Sequence, residues 1–136
     1  MPTTRTHEIA VLIPCFNESL TIGDVVSGFR RALPSARIYV YDNNSRDDTA
    51  MRAALAGATV FRERRQGKGN VVRRMFADIE ADIYLMADGD GTYSPEDAEA
   101  LINTLLTERV DMVVGTRRHV TVDAGRKGHA FGNKIF

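Results

Sequence analysis

Asp88, Asp90, Glu96 and Asp97 crowd into the ten residues of "DGDGTYSPED", and carboxylates at that density are the natural ligands of a hard cation. Two templates compete for them. In an EF-hand loop, Asp88 and Asp90 would take the third and fifth positions, Gly91 the invariant turn and Asp97 the last. Met86 would then stand first, where its thioether cannot ligate calcium, and a short apolar run stands where an entering helix is required. The second template is a carboxylate pair at i and i+2, at the end of a strand. Such a pair can share one Mg²⁺ or Mn²⁺ and leave coordination positions for phosphate oxygens. The pair is favoured and the calcium loop ranks behind it. An acidic turn that only caps the next helix would account for Ser94 and Asp97, but not for Asp88 and Asp90.

Other polar clusters follow apolar runs in the same way. "PCFNE" follows Ile9–Ile13, "DNNSRDDT" follows Arg37–Tyr41, and "GTRR" follows Asp111–Gly115. "QGKGN" has glycines that permit close backbone approach and a lysine, Lys68, suited to phosphate or to solvent. It lacks the upstream Gly and the following Ser/Thr of a P-loop.

The intervening segments must position these groups. Strands are predicted at Ile9–Ile13, Arg37–Tyr41, Thr59–Phe61, Ile83–Ala87 and Asp111–Gly115. Helical spacing marks Thr21–Leu33, with Thr21 and Asp24 as a capping box, and Asp47–Ala56, closed by Gly57. Val71, Val72, Met75, Phe76 and Ile79 mark a third helix. A fourth opens at Ser94 and Pro95 and runs through Glu108, with Ala98, Leu101, Ile102 and Leu105 inward. Strands alternating with helices imply an α/β fold, a mainly parallel sheet between helical layers. Ligands of such sheets bind beyond the carboxyl ends of the strands, where the four polar clusters would converge.

The 136 residues are enough for one domain with a core. Hydrophobic residues at 43% and charged residues at 26% argue against disorder. Eighteen basic residues balance eighteen acidic ones, so no nucleic-acid partner is implied. The balance is uneven along the chain. Arg62, Arg64, Arg65, Lys68, Arg73 and Arg74 face only Glu63, and Arg117, Arg118, Arg126, Lys127 and Lys134 face only Asp123, which suits an anionic ligand. Cys15 is the lone cysteine and reads as a small buried hydrophobe in a reducing compartment. Neither a signal peptide nor a membrane-spanning run is visible.

The ordered set "VLIPCFNE", "VYDNNSRDDT", "GKGN", "LMADGDGTYSPED", "GTR" and "HAFGN" resembles the family 2 glycosyltransferases, in particular their dolichyl-phosphate-mannose-synthase-like branch. The resemblance covers nearly the whole chain. It implies a GT-A-like, Rossmann-type three-layer sandwich, and one nucleotide-sugar-binding catalytic domain over 1–136. Because the chain ends inside a recognisable segment, that domain is expected to be C-terminally truncated.

The implied nucleotide-sugar contacts are Pro14, Phe16, Asn17, Glu18, Asp42, Asn44, Lys68, Asp88, Gly89 and Asp90, with Asp42 accepting from the base. Asp88 and Asp90 would hold Mg²⁺ or Mn²⁺, and with Arg117 they form the implied catalytic set. Asn43 stands where many relatives carry Asp, and Thr92 where the branch often carries Gln. Ser45, Asp47 and Thr49 read equally as turn and N-cap residues or as part of the nucleotide site, and His129 as a helix-start or packing residue rather than a catalytic base.

The implied reaction is inverting transfer of a sugar from a UDP- or GDP-linked donor. The expected acceptor is a polyprenyl phosphate, at the cytoplasmic face of an anionic membrane. A hydroxyl sugar acceptor is the alternative, a homo-oligomer is allowed, and a pyrophosphorylase is disfavoured because "PCFNE" is not a Gly-rich loop.

Overall fold

The computed structural model describes residues 6–115, which excludes Arg117, His129 and the rest of the basic tail. The chain divides into two compact units, Met1–Ala98 and Glu99–Phe136. In the first, four strands, β1 (Ile9–Cys15), β2 (Arg37–Asp42), β3 (Thr59–Arg62) and β4 (Ile83–Met86), form one sheet in the order β3-β2-β1-β4. Every pairing is parallel.

Strand β1 lies between β2 and β4 and is buried from Ala10 to Cys15, which is why its sequence is a continuous apolar run rather than an alternating one. Alternate residues still serve opposite faces. Ala10 and Leu12 join Tyr41 in a core cluster with Val71, Met75 and Ile79 of the third helical region. The helices are α1 (Ile22–Ala32), α2 (Thr49–Ala56), α3 (Lys68–Asp78) and α4 (Ala98–Thr107). Ile22, Val25, Val26 and Phe29 form the buried face of α1, at the spacing the sequence predicts.

Three expectations need correction. Thr21 does precede α1, but it makes no side-chain cap bond. Its hydroxyl instead donates to the Gly89 carbonyl at 2.6 Å, so a distant partner has displaced the local capping box. The fourth helix is entered through a 3-10 turn, Pro95–Asp97, and Ser94 supplies no side-chain cap bond there either. No strand forms over residues 111–115. Within the second unit, Gly115 packs near Leu101, while Met112 and Val114 are exposed. An apolar run becomes a strand only when a neighbour accepts its backbone hydrogen bonds.

Among the described residues no helix is long and apolar enough to cross a membrane.

Candidate functional site

The carboxyl ends of β1, β2 and β4 lie side by side, and the loops that leave them are bound to one another. Parallel register sets Cys15 beside Asp42 and Asp42 beside Arg62. The ladder runs one step further on both sides: Asn43 N–H donates to the Cys15 carbonyl at 2.9 Å and Ala87 N–H to the Leu12 carbonyl at 3.2 Å.

The loop after β1 is held to the loop after β2 by side chains. Ser45 Oγ accepts from Asn17 N–H at 2.9 Å, and Thr49 Oγ1 accepts from Glu18 N–H at 2.9 Å. Asp47 accepts from Ser19 N–H, and Asn17 Oδ1 accepts from Arg46 N–H at 2.8 Å. The Thr49 hydroxyl completes the chain by donating to Asp47, and that bond leads the causes holding the Asp47 carboxyl below its ordinary range. Ser45, Asp47 and Thr49 are thus more than turn residues: they fix the backbone that carries Glu18. Asn17 and Asn44 have positive φ (52° and 65°), a region Asn enters more readily than most residues.

Asn43 performs a parallel task for the loop between β3 and α3. Its amide nitrogen donates to the Glu63 and Arg65 carbonyls at 2.8 and 3.0 Å, and its oxygen accepts from Gly67 N–H at 2.9 Å. An aspartate could not make the first two bonds. Gly67 has φ of +127°, which suits glycine, and α3 starts at the next residue with Lys68. Asn44 likewise spends its amide nitrogen on Arg64 O and Gln66 Oε1. The family resemblance implies a ligand contact for Asn17 and Asn44; in the structure their side chains join the loops.

Lys68 Nζ reaches Asp88 Oδ1 at 2.6 Å. Gly89, between the two aspartates, has room for nothing larger: a Cβ there would meet Cys15 Sγ at 2.4 Å and Ile22 Cδ1 at 3.2 Å. Close packing of the first loop against the acidic loop therefore explains both the buried cysteine and the glycine. Burial first, then Glu18, Asp42 and the two loop aspartates push the Cys15 thiol upward, so it remains a protonated, inert group. Asp90 lies at the surface, with Oδ1 accepting from Thr92 N–H and hydroxyl at 2.9 and 2.6 Å. Thr92, which the sequence only notes as a departure, orients this carboxylate.

The site has two unmet electrostatic demands. Asp42 is 5% exposed, and its Oδ1 is the only buried side-chain N or O atom without a hydrogen-bond partner among the described residues. Leaving such a group unpaired costs about 1–3 kcal/mol, so it marks a place where a donor would be welcome. Glu18 is the second. Burial foremost, then Asp90 and Asp88, raise its carboxyl above the ordinary value, and Lys68 offsets only part of this.

These hard oxygen donors with excess negative charge fit Mg²⁺ or Mn²⁺. Among the described residues no group of three or more His, Cys, Asp or Glu is gathered to enclose an ion. The loop is also entered from strand β4, not from a helix. The strand entry counts against the EF-hand cage. Phe16 is 49% exposed beside this site, an apolar ring left to solvent, and Pro14 is buried within β1.

Known proteins are similar to this chain in sequence and in fold. Residues 10–135 match the family model for Glycosyl transferase family 2. Protein RfbJ of Shigella flexneri is 53% identical over 126 residues, covering 92% of this chain and 98% of RfbJ. Glycosyltransferase AglJ of Haloferax volcanii is 42% identical over 86% of this chain, but that is only 38% of AglJ. Among solved structures, glucosyl-3-phosphoglycerate synthase from Mycobacterium tuberculosis in complex with Mg²⁺ and UDP superposes with a TM-score of 0.65 at 29% identity. The same synthase with Mn²⁺, UDP-glucose and phosphoglyceric acid gives 0.67 at 30% identity. Each of these two matches covers 74% of this chain and 40% of the synthase.

Proposed function

Because this chain belongs to glycosyl transferase family 2, we propose that residues 1–136 are a nucleotide-sugar-binding catalytic domain that transfers a sugar from a UDP- or GDP-linked donor. The observation that carries this reading is the unpaired Asp42 oxygen on the same strand-end rim as Asp88 and Asp90. One end asks for a neutral N–H donor, the other for positive charge. A nucleoside diphosphate with a divalent cation offers both, since uracil and guanine each carry a ring N–H.

In this reading the base lies by Asp42, with the Phe16 ring available for stacking and Pro14 and Glu18 nearby. Asp88 and Asp90 would hold Mg²⁺ or Mn²⁺. When bound, the ion supplies Lewis-acid stabilisation of the leaving diphosphate. Lys68 lies within reach of the same region and adds positive charge where the leaving group becomes more negative. Gly89 lets the first loop close against the acidic loop, which holds Glu18 and both aspartates in one place.

The acceptor we propose is a polyprenyl phosphate, met at the cytoplasmic face of an anionic membrane, with inversion at the anomeric carbon. A phosphate is already anionic and needs only positive charge to hold it, whereas a hydroxyl needs a base within hydrogen-bond reach. The sequence after residue 115 supplies Arg117 and four further Lys/Arg against Asp123 alone. A hydroxyl acceptor is the second reading, favoured by the phosphoglyceric acid bound to the solved synthase.

The test offers radiolabelled UDP- and GDP-sugars with either a polyprenyl phosphate or hydroxyl acceptors, and reads the anomer of the product. Transfer to the lipid, lost in Arg117→Ala, supports the proposal. Transfer to hydroxyl acceptors alone would replace it with the second reading.

A further inference from the structure

Lys68 does something more specific than carry charge toward a phosphate. Its ammonium sits 2.6 Å from Asp88 Oδ1, on a carboxylate whose side chain is only 14% exposed. Asp88 is one of the two carboxylates proposed above to hold the metal ion. An ammonium and a divalent cation cannot share one carboxylate at such range without strong mutual repulsion. We propose that Lys68 is a built-in placeholder that closes the metal position until a diphosphate draws its ammonium away, so that cation and nucleotide bind as a coupled pair. This inference rests on the metal-dependent reading above and deepens it.

Three observations support a placeholder over an incidental ion pair. The lysine is delivered rather than loosely placed: Asn43 fixes Gly67 through its N–H, and Lys68 opens α3 immediately after. One ammonium also stands among the carboxylates of Glu18, Asp88 and Asp90. It lowers the Glu18 carboxyl against a larger upward push from burial and both aspartates. The charge it leaves unbalanced is what a divalent cation would neutralise. Finally, a lysine stem has several rotatable bonds and a point charge, so the ammonium can move from carboxylate to phosphate without backbone rearrangement.

The coupling is reciprocal by thermodynamic necessity: whatever factor the diphosphate adds to cation affinity, the cation adds to diphosphate affinity.

The measurement is Mn²⁺ binding to the full chain, followed through the paramagnetic resonance of the free ion, alone and with saturating UDP or GDP. In the parent protein, Mn²⁺ alone binds weakly and the nucleotide tightens it by on the order of tenfold or more. In Lys68→Met, Mn²⁺ alone binds about tenfold tighter than in the parent, and the nucleotide adds little further. Arg73→Met removes an exposed positive charge from the same helix and should leave Mn²⁺ binding near the parent's value.

Equal Mn²⁺ affinity in Lys68→Met and the parent, or equal tightening in Arg73→Met, would overturn the placeholder while leaving the metal site standing. Should Lys68→Met fail to fold, the parent alone decides, because Mn²⁺ binding that ignores the nucleotide also overturns it. If no protein holds Mn²⁺ under either condition, the metal-dependent reading falls together with this inference.

Discussion

Asn43 and Gly89 show how much a single side chain decides at this rim. In the sequence Asn43 stands only as a departure from the family pattern and Gly89 as an implied nucleotide-sugar contact; neither packing role is legible there. Asn43 is 4% exposed and uses both ends of its amide, toward two carbonyls and an N–H on the far loop. In Asn43→Asp a carboxylate oxygen would face the Glu63 and Arg65 carbonyls. The variant should lose about 3 kcal/mol of folding stability, read as a lower urea midpoint. An unchanged midpoint would mean those bonds do not hold the loop.

Gly89→Ala should cost roughly 1–3 kcal/mol by overpacking. Its Cβ would fall 2.4 Å from Cys15 Sγ, so Cys15→Ala in the same chain should restore part of the loss. The contact with Ile22 Cδ1 at 3.2 Å keeps that rescue incomplete. Purely additive losses in the double variant would show that the cysteine is not what excludes a side chain there.

At the scale of elements, strands and helices were largely legible and their connections were not. The four strands fall within two residues of their expected bounds, and the central β1, buried from Ala10 to Cys15, is the continuous apolar run a parallel inner strand requires. The buried face of α1 followed from its spacing, and the inward Ala98, Leu101, Ile102 and Leu105 of α4 are its less exposed positions. The capping box at Thr21 was misleading because its hydroxyl found Gly89, 68 residues away in sequence. The clasp of Ser45, Asp47 and Thr49 on the first loop spans about thirty residues, and no local pattern announces it.

The loop between β3 and α3 carries a pH signature. Arg65 N–H first, and then Arg74, hold the Glu63 carboxyl below its ordinary value near 4.5. A carboxyl lowered by folding lends stability that is present above the ordinary range and is lost as pH falls through its folded value. Glu63→Gln should therefore be less stable than the parent near neutrality, and the two urea midpoints should converge as the medium is acidified below that range. A gap that persists undiminished in acid would show that the charge of Glu63 is not what matters.

For the molecule as a whole, the chain spans almost all of RfbJ but only about two-fifths of AglJ and of the solved synthase. The match over residues 10–135 covers the strand-end rim and its loops, where the unpaired Asp42 oxygen and the two loop aspartates stand. Arg117 and the basic tail lie outside the described residues, so the acceptor side rests on sequence alone. The donor side does not. The central proposal for the donor side is that a nucleoside diphosphate binds only together with a divalent cation held through Asp88 and Asp90.

Calorimetric titration of UDP and GDP into the full chain, with Mn²⁺ and then with a chelator, tests that claim most directly. The account predicts binding of one nucleotide that weakens by at least about tenfold on chelation, and equally in Asp90→Asn with Mn²⁺ present. Affinity that survives both the chelator and the Asp90 substitution unchanged would contradict it.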